Sequence, residues 1–390
     1  AEMLKLGITS VMDDAFFVPL VSEPAVDALA GAYAEIGMRA TVTLDQPIVV
    51  EFEKYPYLAD LLPERIKRRM RAAPRETADG MLEHYARLIA RWHGAADGLI
   101  AAGISSSAVQ RATPDYLVAL ADLAREHDLT HACHILETKL QRVLGEERYG
   151  RSLVRMAHDL GILDAQMQVI HAIWVDEDDI ALIADAGACV AHNPVCNLRL
   201  GSGVMPFRAL REAGVPICLG TDEAVSDDSH DLWGAMKLAG TLHAIATPDP
   251  ASWPTAPEVL EAVWEGGSRA LRRDMPLGRI EPGAAGDIAL LDLDAPAFLP
   301  LHDLRRQLVL CGAGRAVRHT VVAGRVVVED GRLRTIDEAD LVAKIRAMEP
   351  LLREAAAEVG RQAAELEPYY RAMVERTNGY DVGFSRWLHR

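Results

Sequence analysis

Cysteine is sparse and scattered. Five occur in 390 residues, at Cys133, Cys189, Cys196, Cys218 and Cys311. None forms a C-x-x-C pair, which argues against both a disulfide framework and a structural zinc knuckle. No run of about 18 uncharged apolar residues occurs, so no membrane-spanning helix is expected. Basic charge is in deficit: 41 Lys and Arg face 57 Asp and Glu, for a net charge of −16. Nucleic acid is therefore not expected as a partner, because phosphate binding needs a basic face. The one basic run, Lys67 to Arg71, reads as the solvated face of a short helix. Neither GxGxxG nor GxxxxGK[ST] occurs, which removes the usual signatures of a dinucleotide fold and of a P-loop. The thirteen histidines include no His-x-His pair. No signal-peptide pattern stands at the start, which opens on "AEMLKLG" and reads as helix. A cytoplasmic location is the expectation.

What is present is alternation. Short apolar runs stand at "ITSVMDD", "RATVTLD", "DGLIAAGISSS", "LTHACHILE", "MQVIHAIWV", "ACVAHNP" and "VPICLGTDEA". Helical patterns such as "TPDYLVALADLAREHD" and "DEDDIALIADAG" lie between them. Thr113 before Pro114 and Asp176 before an acidic turn read as helix N-caps. Strands alternating with helices imply a parallel sheet covered by helices. The spacing predicts an α/β fold of the (β/α)₈ barrel type lacking its first strand, over residues 1–277. A doubly wound open sheet is the competing arrangement. Glycine-punctuated alternating segments with "AG" and "DG" turns then predict a small β-sandwich portion over residues 278–335. A charged helical tail fills residues 336–390, with apolar spacing suited to packing or subunit contact.

Barrel enzymes carry their reactive groups at the C-terminal ends of the strands. His134 and Glu137 close one run, His171 lies in the next, His192 ends another, and Asp222 follows in "GTDEA". One histidine on an apolar strand is ordinary packing. Successive strands that deliver His or Asp at the same end are not, because buried imidazoles and carboxylates need partners. A divalent metal satisfies several of them at once. Within "HACHILETKLQ", His134 and Glu137 are the functional candidates, and His131 and Cys133 read as packing.

"HILETKLQ", "VIHAIWVDEDDIALIADAG", "VAHNPVCNLRLGSG" and "GVPICLGTDEAVSDDS" resemble, in order and spacing, the amidohydrolase superfamily. The similar branch holds triazine chlorohydrolases, cytosine- and guanine-type deaminases and methylthioadenosine/S-adenosylhomocysteine deaminases. "GRIEPGAAGDIALLDLD" resembles that branch's C-terminal β-sandwich. The resemblance implies a metal-dependent hydrolase, an aminohydrolase acting on a C–N bond of an N-heterocycle such as a purine, pyrimidine or triazine. It places metal ligation on His134 and Asp222, with His171 a third candidate. Catalytic roles fall on Glu137, His171 and Asp222. Ser107 stands where related nucleoside deaminases carry a histidine, and Ser107, Gln110 and His192 are substrate-contact candidates. The implied cofactor is one divalent metal, zinc, with iron as the alternative. The implied partner is a small-molecule substrate, with no nucleic acid and no membrane, and a homodimer is the common state of such barrels.

The sequence departs from the pattern in three places. Glu223 makes "GTDEA" of the usual "GTDGA", Cys196 replaces a serine in "NPVCN", and the His-x-His pair of the first strand is absent. The ligand count then predicts weak metal retention, and a barrel open between its second and eighth strands. Dehalogenation, or amide or lactam hydrolysis, on the same site is one alternative. An inactive, truncated barrel without metal is the other.

Overall fold

The computed structural model describes residues 1–387. The barrel strands are β1 Ser10–Phe16, β2 Arg39–Asp45, β3 Ile100–Ala102, β4 Ile104–Ala108, β5 His131–Ile135, β6 Met167–His171, β7 Cys189–His192 and β8 Ile217–Leu219. They form a parallel three-stranded sheet, β1-β2-β3, and a parallel five-stranded sheet, β4-β5-β6-β7-β8. The strand order follows the chain order, as in a (β/α)₈-type barrel.

The run read as one strand, "DGLIAAGISSS", is two. Gly103 breaks it between β3 and β4. A Cβ at Gly103 would lie 2.8 Å from the Thr43 methyl and 3.0 Å from those of Thr41 and Thr130. Neighbouring strands thus approach so closely that only glycine fits. β6 also stops earlier than its apolar run. His171 and Ala172 take φ of +78° and +47°, which leaves the extended region.

Helices Glu23–Ile36, Ala78–Trp92 and Pro114–Glu126 cover the β1–β4 half, with Val26, Tyr85, Leu88 and Leu120 in one core. A second core lies around β5–β8 and includes Val169, Trp174, Ile183 and Phe207. Ala132, Ile170, Cys189, Ala191 and Cys218 of β5–β8 pack together with Ala270 of the helix Gly267–Leu271. Of the two expected caps, Asp176 forms a capping box with Asp179, whereas the Thr113 hydroxyl makes no capping hydrogen bond.

Beyond the barrel, β9 Ile288–Leu291, β10 Val317–Val322, β11 Arg325–Glu329 and β12 Arg332–Leu333 form an antiparallel sheet of order β12-β11-β10-β9. A helix, Leu304–Leu310, is inserted between β9 and β10, where the alternating pattern predicted only strands. A helix of 41 residues, Glu338–Asn378, follows, capped by Asp337. The chain then returns to the barrel. Trp387 and Phe384 pack on Trp174, with ring centroids 4.8 and 5.9 Å away. Arg386 Nε donates to the Ile173 carbonyl at 2.9 Å.

Candidate active site

β5 and β6 lie side by side, with Ile135 opposite His171. This register puts the end of β5, carrying His134 and Glu137, next to His171. The His134 and His171 ring centroids are 5.5 Å apart. His171 Nε2 lies 3.9 Å from Glu137 Oε2 and 3.5 Å from Asp222 Oδ2. The structure therefore brings together side chains from the ends of β5, β6 and β8.

Each is held from behind. His171 Nδ1 hydrogen-bonds Asn197 Oδ1 at 2.9 Å, which turns Nε2 toward the two carboxylates. Asp222 Oδ2 accepts from Asn193 Nδ2 at 3.2 Å, and Oδ1 accepts from the Glu223 backbone N–H at 2.7 Å. Burial alone would raise the Asp222 pKa. The His171 imidazole, the Cys196 thiol and the Glu223 N–H outweigh it and hold the carboxyl below its usual range. The Glu137 N–H donates to Gln141 Oε1 at 2.6 Å. Ser107, His171 and Asp222 all have φ between +56° and +78°. Backbone strain of this kind costs about 1–3 kcal/mol per residue and gathers where side chains must be aimed.

His134 faces two carboxylates that are not among the candidates read from the sequence. Asp14 near the end of β1 and Asp45 at the end of β2 lie beside it. Among the described residues, Asp14, Asp45 and His134 form a metal-capable set whose ligand atoms all lie within 4.8 Å of one another. His134 Nδ1 is 3.8 Å from Asp14 Oδ2 and bonds the Ser107 carbonyl at 2.7 Å. Asp14 Oδ2 and Asp45 Oδ1 are buried and make no hydrogen bond. Burial and the Asp45 charge push the Asp14 pKa up to about 6, against His134, Thr43 and Ser105. Two facing carboxylates with orphaned buried oxygens suit a cation.

The three substrate-contact candidates differ in position. Ser107 is fully buried, and its carbonyl orients His134. Gln110 is buried with Oε1 lacking a partner. His192 is fully buried against Phe207 and His243, with centroids at 6.4 and 5.5 Å, and offers no exposed surface. Burial and the neighbouring His243 and His171 keep its pKa far below normal, so the ring is neutral. His131 is buried and bonds Ser106, and burial lowers its pKa to about 4. Arg111, also unanticipated, reaches Ser107 Oγ at 3.3 Å. Its positive charge acts on Asp45, Tyr55, Glu137 and Glu51.

The sequence pattern of the amidohydrolase family matches residues 1–327. The chain belongs to the amidohydrolase family. The Natronomonas pharaonis 5-methylthioadenosine/S-adenosylhomocysteine deaminase is 33% identical over 339 residues, spanning 86% of this chain and 70% of that protein. The Methanosarcina mazei 5'-deoxyadenosine deaminase is 29% identical over 341 residues, spanning 87% and 71%. Among solved structures, atrazine chlorohydrolase TrzN from Arthrobacter aurescens TC1 complexed with zinc aligns with a TM-score of 0.80 at 27% identity, covering 89% of this chain and 74% of that one. A Xanthomonas campestris adenosine deaminase with bound zinc aligns with a TM-score of 0.77 at 26% identity, covering 90% and 73%. This amidohydrolase is therefore a hydrolase acting on carbon–nitrogen bonds other than peptide bonds. No helix among its described residues is long and apolar enough to cross a membrane.

Proposed function

We propose that this amidohydrolase deaminates the adenine ring of a nucleoside modified at its 5' position. The observation that carries the reading is the convergence of Glu137 and Asp222 on His171 Nε2, at 3.9 and 3.5 Å, in a chain aligned with deaminases over most of its length.

The residues present fit a divalent metal. His134, Asp14 and Asp45 supply a close-set donor group with two orphaned buried oxygens, and His171, its ring 5.5 Å from that of His134, lies 3.5 Å from Asp222. Zinc, as in the solved relatives, is the proposed ion rather than iron. When bound, such an ion makes a water molecule nucleophilic at neutral pH.

The remaining work falls to the chain. Glu137 donates a proton to the ring nitrogen beside the carbon under attack, so negative charge does not build on the heterocycle. Asp222 accepts the proton of the attacking water and passes it to the departing amine. His171, its Nδ1 fixed by Asn197, presents Nε2 to that water and orients it. Asn193 and the Glu223 N–H keep Asp222 aimed and ionised. The barrel, residues 1–277, carries the whole set. The products are ammonia and the 6-oxo purine nucleoside.

A product assay tests this reading. The zinc-loaded 390-residue chain is incubated separately with 5'-deoxyadenosine, methylthioadenosine and a chlorinated triazine. Ammonia release with loss of adenine absorbance is expected from the nucleosides. Halide release from the triazine with no ammonia from the nucleosides overturns the reading in favour of dehalogenation. Absence of any product from a fully metal-loaded chain overturns it altogether.

A further inference from the structure

The helix Glu338–Asn378 carries an apolar stripe with no cover. From residue 342 to residue 364 every position is exposed. At about 1.5 Å per residue this free stretch is roughly 35 Å long. In proteins most helical stability comes from packing of an apolar face rather than from propensity. Along it, Leu341, Ile345, Met348, Leu352, Ala355 and Val359 recur at alternating steps of four and three. That is a heptad seam, the pattern of helices that pack along one another. Val342, Ile345, Met348, Leu351, Leu352 and Val359 are between 44% and 66% exposed. The last part of the helix differs, since Leu366, Tyr369, Tyr370 and Met373 pack against Phe52, Leu58, Leu62 and Ile66 of the barrel side.

We propose that this stripe is a dimer interface, occupied by the same helix of a second copy running antiparallel. The stripe is self-complementary in one antiparallel register. Leu341 then faces Val359, Ile345 faces Ala355, and Met348 faces Leu352, each pair occurring twice about a two-fold axis. The one small residue of the seam, Ala355, meets the large Ile345. A parallel, in-register pairing would instead set Ala355 against Ala355 and leave a void there.

The flanks agree with the same register. Lys344 lies opposite Glu358 of the second copy on both sides of the axis, which pairs opposite charges. Leu351, exposed beside the seam, meets its own counterpart. Val342 lies opposite Ala356. Glu349 meets its counterpart too, and this like-charge contact is offset by Arg353, whose Nη2 is 3.4 Å from Glu349 Oε2 within one helix. Pro350 falls at the position facing away from the seam, so its missing N–H and ring do not disturb the contact. The proposal is independent of the reaction assigned above.

Light scattering after size exclusion measures it on the 390-residue chain. The expected mass is twice the 42.5 kDa of one chain. The I345E/L352E variant is expected to run at the single-chain mass with an unchanged far-UV circular dichroism spectrum. The charge variant Lys344→Glu is a milder probe that spares the core. It is expected to weaken dimerisation, and K344E/E358K to restore it. Rescue by K344E/E349K instead would assign a parallel pair and overturn the antiparallel register. A monomeric parent chain, or a dimer untouched by I345E/L352E, would overturn the interface itself.

Discussion

Glu137→Gln is expected to lower turnover by about 10²–10⁴-fold while leaving the bound metal in place. The amide has nearly the shape of the carboxyl, so Gln141 can still hold the Glu137 backbone N–H at 2.6 Å. What the amide cannot do is deliver a proton to the heterocycle and take one back. The closest donor set for the metal is Asp14, Asp45 and His134, which does not include Glu137, so metal content should not fall with activity. Steady-state kinetics beside elemental analysis separate the two. An unchanged kcat at normal metal content removes Glu137 from the mechanism. A parallel loss of metal and activity makes it a ligand instead.

Gly266→Ala is expected to destabilise the protein by about 3 kcal/mol, at the upper end of overpacking costs. Gly266 lies where the helical segment Ala262–Leu271 crosses β8. A Cβ there would lie 1.9 Å from the Ile217 carbonyl oxygen, 2.8 Å from its carbon and 3.2 Å from Cys218 Cα. These are backbone atoms of β8 and cannot swing aside as a side chain can. β8 has three residues, and Asp222 follows it, so displacement of the strand should also disturb the site. The adjacent Gly267 is an internal control, because a Cβ there meets nothing within 4 Å. Gly267→Ala should be neutral or gain up to about 1 kcal/mol from helix propensity. Thermal unfolding of the two variants side by side checks the contrast, and equal midpoints would contradict it.

The barrel was legible because buried parallel strands are written as short apolar runs between helical patterns. Strand limits were less so. The break at Gly103 arises from the Thr41, Thr43 and Thr130 methyl groups, which come near only after the sheet has formed. The early end of β6 arises from left-handed backbone at His171 and Ala172, which no apolar run announces. His134, Glu137, His171 and Asp222 stood out as histidines and acids at strand ends. Asp45 ends β2 and Asp14 closes the apolar run of β1, yet an acid after an apolar run ordinarily reads as the start of a solvated loop. The rule that singled out Asp222 would have found them. Asn193 and Asn197 carried a signal as well: they stand four apart at the start of helix Pro194–Arg199, on one face. That face supports His171 and Asp222 together. For His192, position on a strand does not tell which layer the side chain fills. Phe207 and His243, remote in sequence, close over it.

The donor count changes with the fold. The sequence offered His134, Asp222 and His171 and predicted weak retention of metal. The structure adds Asp14 and Asp45, with orphaned oxygens beside His134. Metal stoichiometry is the most direct measurement of whether this set is a metal site. Protein whose N-terminus is verified as Ala1 is stripped with chelator, equilibrated with zinc, passed through a desalting column and analysed for metal. One zinc per chain, lost in the D14N/D45N variant, is the predicted result. A chain that emerges correctly folded and metal-free would contradict the account.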